Sequence, residues 1–566
     1  MDLVAFADFF IFAPIKERSL FPTGFPFVFR LFLSFGVKFV KSYLAIHKSI
    51  NMEGIRLRFF ESEDVLVPER LFRKGEFFAK SKYEISGQAK RIFAVEKIPA
   101  QSLDQDFPYN RDLQRLLSGR VLLLEEVPFP LESIHEHVEH GYIRYEKGID
   151  VDRDGMYCRR CQNREVHLFG RFHCARCGEE CVYCRRCIMM GRVSQCSPLV
   201  RWTGPEPVFS YPDALRWEGQ LSIAQGEAAR RIVEAIEKKT DLLIWAVCGA
   251  GKTEMLFPGI ACALQAGLRL AIATPRTDVV LELAPRLQQV FPDVPVAALY
   301  AGSGDRYKFS PLTITTTHQL LRFHDAFDVM IIDEVDAFPY AADEMLQKAA
   351  EKARKRNSAL IFLTATPDET WQRECLTGKR NCYILPARFH QHPLPIPRFI
   401  WCGNWRKALT KKRIPLPVRT WVQERLAIEK QALIFFPDVE LMERTLPLFH
   451  EFHPDIASVH AEDPERKEKV QAMREGRIPI LLTTTILERG VTIPNIDVAV
   501  VGAEDETFTE SALVQIAGRV GRSPAYPTGD IAFFHYGKSR AMVRAREQLQ
   551  RMNEEALRRG LIDYDW

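Results

Sequence analysis

The 566-residue chain has no uninterrupted apolar run of the ~20 residues that a membrane-crossing helix needs. Its nearest approach, Phe25 to Ile46, is rich in phenylalanine but carries Arg30, Lys38 and Lys41. It also lacks an Ala-x-Ala-like cleavage site, which argues against a secretory signal. Little net charge is present, +4 from 77 basic and 73 acidic residues. That balance neither demands nor excludes nucleic acid, since a local basic channel disappears in the total. No internal repeat at fixed period and no low-complexity tract occurs. The expectation for residues 1–51 is a translation start placed too early, with Met52 the true first residue; an amphipathic membrane-surface segment is the alternative.

What is there looks like ordinary folded protein, 46% apolar and 27% charged, with room for roughly three to five domains. Residues 52 to about 150 carry no nameable motif, although Arg111–Glu126 reads as helical. Residues 202–214, rich in proline and aromatics, read as a linker. From about 215 to 390, short apolar runs alternate with helical stretches, the runs being Leu242–Val247, Leu270–Thr274, Val329–Ile332 and Leu360–Leu363. That alternation predicts a parallel sheet covered by helices. A Pro-rich stretch, Pro386 to Pro397, reads as a hinge. A second alternating block follows to the C-terminus, with runs Ala432–Phe436, Ile478–Leu482 and Val498–Val501.

The most informative residues stand between the first of these runs and a helical stretch from Glu254 to Ala266: Ala246-Val247-Cys248-Gly249-Ala250-Gly251-Lys252-Thr253. Strand, glycine loop, lysine, hydroxyl and helix make a phosphate cradle. Glycines let backbone N–H groups close on phosphates, Lys252 reaches the β/γ oxygens, and the Thr253 hydroxyl suits Mg²⁺. The consensus opens with glycine where this chain has Ala246. At the end of the run Val329–Ile332 stands Asp333-Glu334-Val335-Asp336. Asp333 would hold Mg²⁺ through water, and Glu334 would orient and deprotonate an attacking water. Thr364-Ala365-Thr366 ends another run and, taken alone, reads as a turn. Gln515-Ile516-Ala517-Gly518-Arg519-Val520-Gly521-Arg522 offers two arginines three apart, expected on one face of a helix turn and aimed at the γ-phosphate.

This ordered set resembles the superfamily 2 helicases and translocases. The resemblance implies two RecA-like parallel-sheet lobes clamping ATP, a family in which the loop commonly opens with alanine. It further implies that Gln225 reads adenine and that Thr274-Pro275-Arg276 and Thr315-Thr316-Thr317-His318-Gln319 grip the nucleic-acid backbone. Thr483 to Gly490 would couple the cleft to the strand.

Eight of the thirteen cysteines lie between Cys158 and Cys196, seven of them in Cys-x-x-Cys pairs that Cys196 follows. Such pairs are knuckles that present thiolates to tetrahedral Zn²⁺, so two closed four-cysteine sites are predicted. Two pairings fit. One is sequential, taking Cys158, Cys161, Cys174 and Cys177 first. The other nests Cys174, Cys177, Cys181 and Cys196 inside Cys158, Cys161, Cys184 and Cys187. Residues 151–201 hold ten arginines and five acids, and two Zn²⁺ on eight thiolates would leave about +1. Much of the arginine would then offset cluster charge; contact with the strand or a partner is the alternative.

Four stretches narrow the family: Asp333 through Tyr340, Ile188-Met189-Met190-Gly191-Arg192-Val193, Arg216-Trp217-Glu218-Gly219-Gln220-Leu221, and Thr485 through Thr492. Together they resemble the ComFA family of late-competence ATPases, over about residues 155 to 555. The resemblance implies a cytosolic motor at the inner face of the DNA-uptake channel, peripheral to the membrane, drawing in single-stranded DNA. ComFC, DprA and the ComEC channel would be its partners, and ATP, Mg²⁺ and Zn²⁺ its cofactors. Shorter members keep only cysteines matching Cys158, Cys161, Cys184 and Cys187, which favours the nested pairing. The expected architecture is α/β: a region 52–150, a zinc domain 151–201, lobe one at 202–390 and lobe two at 391–566. The alternatives are a PriA-like replication-restart helicase, whose cysteines would interrupt lobe two, and a zinc-bearing DNA-binding scaffold with an inactive motor.

Overall fold

A computed structural model describes residues 57–62, 64–73, 87–489 and 493–562. The extension 1–51 and the residues Gly490-Val491-Thr492 lie outside the described residues.

Two parallel sheets dominate. The first has seven strands in the order Val296–Leu299, Leu312–Thr316, Leu270–Thr274, Phe327–Asp333, Arg354–Thr364, Asp241–Ala246, Cys382–Leu385, every pair parallel. The second has six, in the order Arg398–Trp401, Ile531–His535, Ile496–Val501, Gln431–Phe435, Ile480–Thr483, Ala457–Val459, again all parallel. The central strands are continuous runs of Ile, Leu, Val and Phe because helices cover both of their faces. Leu242–Ala246 and Val498–Val501 are accordingly buried at every position. The lobes share one apolar cluster, in which Val247 and Leu363 pack in the same body as Val500 and Val514. The fold class is therefore the expected one: two RecA-like lobes behind a cysteine-rich front region.

The front region differs from the expectation in two respects. Helix ends early: Arg111–Leu117 is helical, capped by the Asn110 side chain, and the chain then turns at Gly119 into the strand Val121–Leu123. Gly119 has φ +66°, and a Cβ there would come within 2.6 Å of the Ala326 side chain of lobe one. A helix continued to Glu126 would lose that close approach. The strands Val121–Leu123 and Ile143–Lys147 flank Pro198–Trp202 in an antiparallel sheet. The cysteine segment is thus an excursion between two paired strands, and residues 121–202 form one unit across the division at 150/151.

The Pro-rich stretch after Leu385 is not a free hinge. Arg388 is 1% exposed and donates from Nη1 to the Gly521 carbonyl at 2.5 Å, and Leu394 exchanges two hydrogen bonds with Asn553. Among the described residues no helix is long and apolar enough to cross a membrane.

Candidate nucleotide cleft and cysteine centres

The loop after Asp241–Ala246 runs Val247 to Gly251, and the helix Lys252–Gln265 begins at the lysine itself. Gly251 is the residue that turns the chain into the helix, with φ +71°; a Cβ there would meet the Gln225 amide nitrogen at 2.3 Å. Ala246 is fully buried on the strand, which is why the loop can open without glycine. The helix N-terminus points its free N–H groups and dipole at the loop's mouth, a preformed anion site.

Gln225 lies under this loop. Ser222 and Gln225 cap the helix Ile223–Lys238 reciprocally, and Gln225 Nε2 donates to the carbonyls of Ala250 at 2.9 Å and Gly251 at 3.2 Å. Its Oε1 accepts from the Ser222 N–H at 2.9 Å. Both ends of the amide that the family resemblance assigns to adenine are engaged in holding the loop.

Asp333 closes the strand Phe327–Asp333, and Glu334 follows in the left-handed region at φ +54°, a conformation that non-glycine residues adopt at functional turns. The Glu334 N–H donates to Asp333 Oδ1 at 2.9 Å. Desolvation raises the Asp333 carboxyl to about 6, Lys252 working against the rise and neighbouring Glu334 adding to it. The hard oxygen donors that Mg²⁺ prefers are here Asp333 and the Thr253 hydroxyl, and the two adjacent acids at the cleft floor fit a divalent cation.

From lobe two, the helix Glu510–Ala517 ends just before the two arginines. Arg519 and Arg522 therefore sit in the turn beyond the helix, with Gly521 at φ +68°, rather than on a helix face. Arg519 is buried and donates from Nε to the Glu488 carbonyl at 3.0 Å; Arg522 donates from Nε to the Gly518 carbonyl at 2.9 Å. The lobes touch at the loop itself, where the Cys248 thiol donates to Gln515 Oε1 at 3.1 Å.

Between the lobes stands a clasp that sequence reasoning missed. Asp336 accepts from Thr364 Oγ1 at 2.6 Å, Thr366 Oγ1 at 2.5 Å and Ser511 Oγ at 3.0 Å, and pairs with Arg489 Nη2 at 2.5 Å. Arg489, only 4% exposed, also lies 3.6 Å from Glu334 and 3.6 Å from Glu488. Burial works to raise the Asp336 carboxyl, but the Arg489 guanidinium and the threonine hydroxyls outweigh it and hold the group at about 2. The tripeptide Thr364-Ala365-Thr366 is thus a ligand of the acidic loop, not a bare turn. The three-residue spacing of Asp333 and Asp336 was the available signal.

The loops expected to grip a nucleic-acid backbone are arranged differently from the expectation. Thr274, Thr315, Thr316, Thr317 and Gln319 are all buried, leaving His318 as the exposed side chain of its segment. Arg276 is paired with Asp278 at 3.1 Å. β-Branched residues at these strand ends fill the sheet, so their hydroxyls do not face solvent. In the lobe-two segment Thr483 is buried and Thr484 and Thr485 are part-buried.

The eight cysteines gather as two groups of four, Cys158, Cys161, Cys184, Cys187 and Cys174, Cys177, Cys181, Cys196, all buried. This is the nested arrangement. Within the groups, Sγ–Sγ separations are 3.6 Å for Cys158–Cys187, 3.5 Å for Cys161–Cys184, and 3.2 Å for both Cys174–Cys196 and Cys177–Cys181. Disulfides need about 2.05 Å, whereas a tetrahedral zinc with Zn–S near 2.3 Å puts its sulfurs about 3.8 Å apart. Charge supports the fit. Fully buried Arg160 stands between Cys158 and Cys161, and half-buried Lys352 donates to the Arg160 carbonyl beside the same group. Desolvation lowers the Lys352 ammonium to about 8, opposed by Cys158 and Cys187. Two nearby cations would offset the −2 charge of a zinc tetrathiolate.

The first group is also continuous with the motor. Cys158, Cys161, Cys184 and Cys187 share an apolar cluster with Leu320, Leu321, Phe327 and Ile332 of lobe one. Buried Glu126 pairs with Arg160 at 3.6 Å, with Arg322 at 3.2 Å and with Arg306. Arg322 in turn donates to the Met190 carbonyl at 3.4 Å.

Parallel lobes, phosphate loop, acidic turn and facing arginines define a superfamily 2 helicase-type protein. Residues 218–369 match the family described as Type III restriction enzyme, res subunit, and 418–524 the Helicase conserved C-terminal domain. Residues 101–201 match the Competence protein ComFA N-terminal domain. Competence protein ComFA of Bacillus subtilis (strain 168) is 50% identical over 454 residues, covering 80% of this chain and 98% of that protein. Competence protein ComFA of Streptococcus pneumoniae (strain ATCC BAA-255 / R6) is 40% identical over 411 residues, covering 72% and 92%. The chain belongs to the ComFA family. Among solved structures, S. cerevisiae Dbp5 bound to RNA and ADP BeF3 aligns with a TM-score of 0.43 at 15% identity, covering 59% of this chain and 91% of that one.

Proposed function

We propose that this chain is an ATP-driven motor that moves single-stranded DNA during competence. The reading is supported by the cleft, where the loop of Lys252 and Thr253 and the acidic turn of Asp333 and Glu334 meet lobe two through Cys248–Gln515 and Glu334–Arg489, near the turn that carries Arg519 and Arg522, on a chain of the ComFA family. The loop N–H groups and Lys252 bind the phosphates, and Thr253 and Asp333 would hold Mg²⁺. When bound, that ion neutralises charge on the β- and γ-phosphoryl oxygens. Glu334 orients the attacking water and takes its proton. Arg522, with Arg519 behind it, stabilises the charge that builds on the transferred group. ATP draws the lobes together and hydrolysis lets them part, so backbone-gripping surfaces on each lobe alternate in strength. Phosphate contacts give movement without sequence preference. Because the threonine hydroxyls of lobe one are buried, backbone N–H groups and His318 are the donors left for that grip.

The two cysteine groups, each holding Zn²⁺ with all four positions taken, have folding and docking roles rather than a catalytic one. Through them the front region is the natural site for ComFC and DprA.

The test is ATPase rate with single-stranded DNA, duplex DNA, RNA and no nucleic acid. Single-stranded DNA is expected to stimulate most, and Lys252→Ala or Glu334→Gln to abolish turnover. A rate equal with and without DNA refutes the translocase reading.

A further inference from the structure

Arg388, which pins the Pro-rich connection to lobe two, has no part in the chemistry proposed above, yet it is a deeply buried cation beside the cleft. It comes from the Pro-rich connection between the lobes and is 1% exposed. One nitrogen, Nη1, donates to the Gly521 carbonyl at 2.5 Å, which the His390 ring also approaches at 3.0 Å. The other two, Nε and Nη2, are buried without a hydrogen-bond partner. No carboxylate pairs with Arg388 among the described residues. A buried, uncompensated guanidinium is strongly unfavourable and is retained where an anion completes it.

Its position says which anion. A Cβ placed on Gly249, the first glycine of the phosphate loop, would lie 3.6 Å from Arg388 Cγ, Cδ and Nε, and the next residue, Phe389, donates its N–H to the Gly249 carbonyl at 3.2 Å. On its other side Arg388 abuts Gly521, the neighbour of Arg522. The side chain thus bridges the opening of the phosphate loop and the arginine turn of lobe two. Desolvation depresses it to about 10, Cys248 opposing and Arg522 adding to the depression.

We infer that Arg388 is a further nucleotide ligand, a connection-borne arginine whose Nε and Nη2 bind the terminal phosphate of ATP alongside Arg522. This rests on the cleft being an ATP site, as proposed above. A planar fork with two parallel donors suits a phosphoryl oxygen pair, which a lysine cannot reproduce. Because the residue lies in the connection, it ties the orientation of the lobes directly to the presence of the γ-phosphate.

The experiment measures binding of fluorescent mant-ATP and mant-ADP, and DNA-stimulated turnover, for the full chain and for Arg388→Met and Arg388→Lys. Arg388→Met is expected to weaken mant-ATP by roughly 10- to 100-fold while mant-ADP changes less than about threefold. Arg388→Lys should recover part of the ATP preference. Unchanged binding of both nucleotides, or equal loss for both, overturns the assignment, since a purely structural arginine would not separate ATP from ADP. If Arg388→Met does not fold, an Arg388→Lys protein whose ATP-to-ADP preference equals that of the parent chain overturns it equally. A parent chain that binds no mant-ATP refutes the ATP site itself; a parent that binds and hydrolyses, with Arg388→Met identical to it, refutes only the role of Arg388.

Discussion

Replacing Asp336 with Asn should uncouple hydrolysis from nucleotide binding. Asp336 and Arg489 are 9% and 4% exposed and meet at 2.5 Å across the lobes. Breaking a buried pair by removing one charge costs about 3–5 kcal/mol, because the survivor is left enclosed. Here Arg489 retains Glu334 and Glu488, each at 3.6 Å, so the lower end applies, about 3 kcal/mol. The released guanidinium will shift onto Glu334, the residue proposed above to accept a proton from water. The expected result is a kcat lower by about 100-fold, with the KM for ATP within about threefold. Phosphate release at saturating DNA measures it. Arg489→Met should lower kcat as well, and the double variant should be no worse than the poorer single one, since both act on one interaction. A kcat within threefold of the parent for Asp336→Asn, or fully additive losses in the double variant, refutes the clasp.

Arg522→Ala should leave mant-ATP binding nearly intact while turnover falls by about 10³-fold. Metal analysis of the purified chain should give two zinc per molecule, and a chelator strong enough to strip them should lower the first melting transition and expose eight titratable thiols. Glu126→Gln leaves buried Arg160 and Arg322 and partly exposed Arg306 short of one charge and is expected to lower that same transition by roughly 6–12 °C, seen by scanning calorimetry. Acid should open the lobes. The Asp336 carboxyl, held at about 2, contributes its full stabilisation above about pH 4, its ordinary range, and loses it as pH falls toward 2. Inter-lobe fluorescence transfer should therefore drop in that window for the parent chain and not for Asp336→Asn.

The strands and the phosphate loop were legible because local rules decide them. Leu270–Thr274 is the strand its apolar run predicts, and Gly267, at φ +68°, ends the preceding helical segment as a C-terminal glycine should. The paired cysteines likewise announced themselves by spacing, although only the fold brings Cys196 to Cys174. What could not be read depends on contacts between distant segments. Arg111–Glu126 looked helical, but Gly119 is needed against Ala326 of another domain. The threonines near residue 315 were expected in a segment that grips a nucleic-acid backbone, yet the sheet buries their side chains. Asp336 meets Arg489, 153 residues further on, and Arg388 meets Gly521, 133 residues further on, only where the two lobes pack together.

The apolar cluster that joins the first cysteine group to lobe one would link the folding of that lobe to any metal the thiols hold. A ligand that binds only the folded chain stabilises it by RT ln(1 + [L]/Kd), and zinc, if held by these cysteines as proposed, would be such a ligand for the lobe that carries the phosphate loop. Loss of the ion would loosen Leu320 and Phe327 along with the thiols. The stability of the lobe with the phosphate loop would then depend on the state of thiols that lie in a different part of the chain.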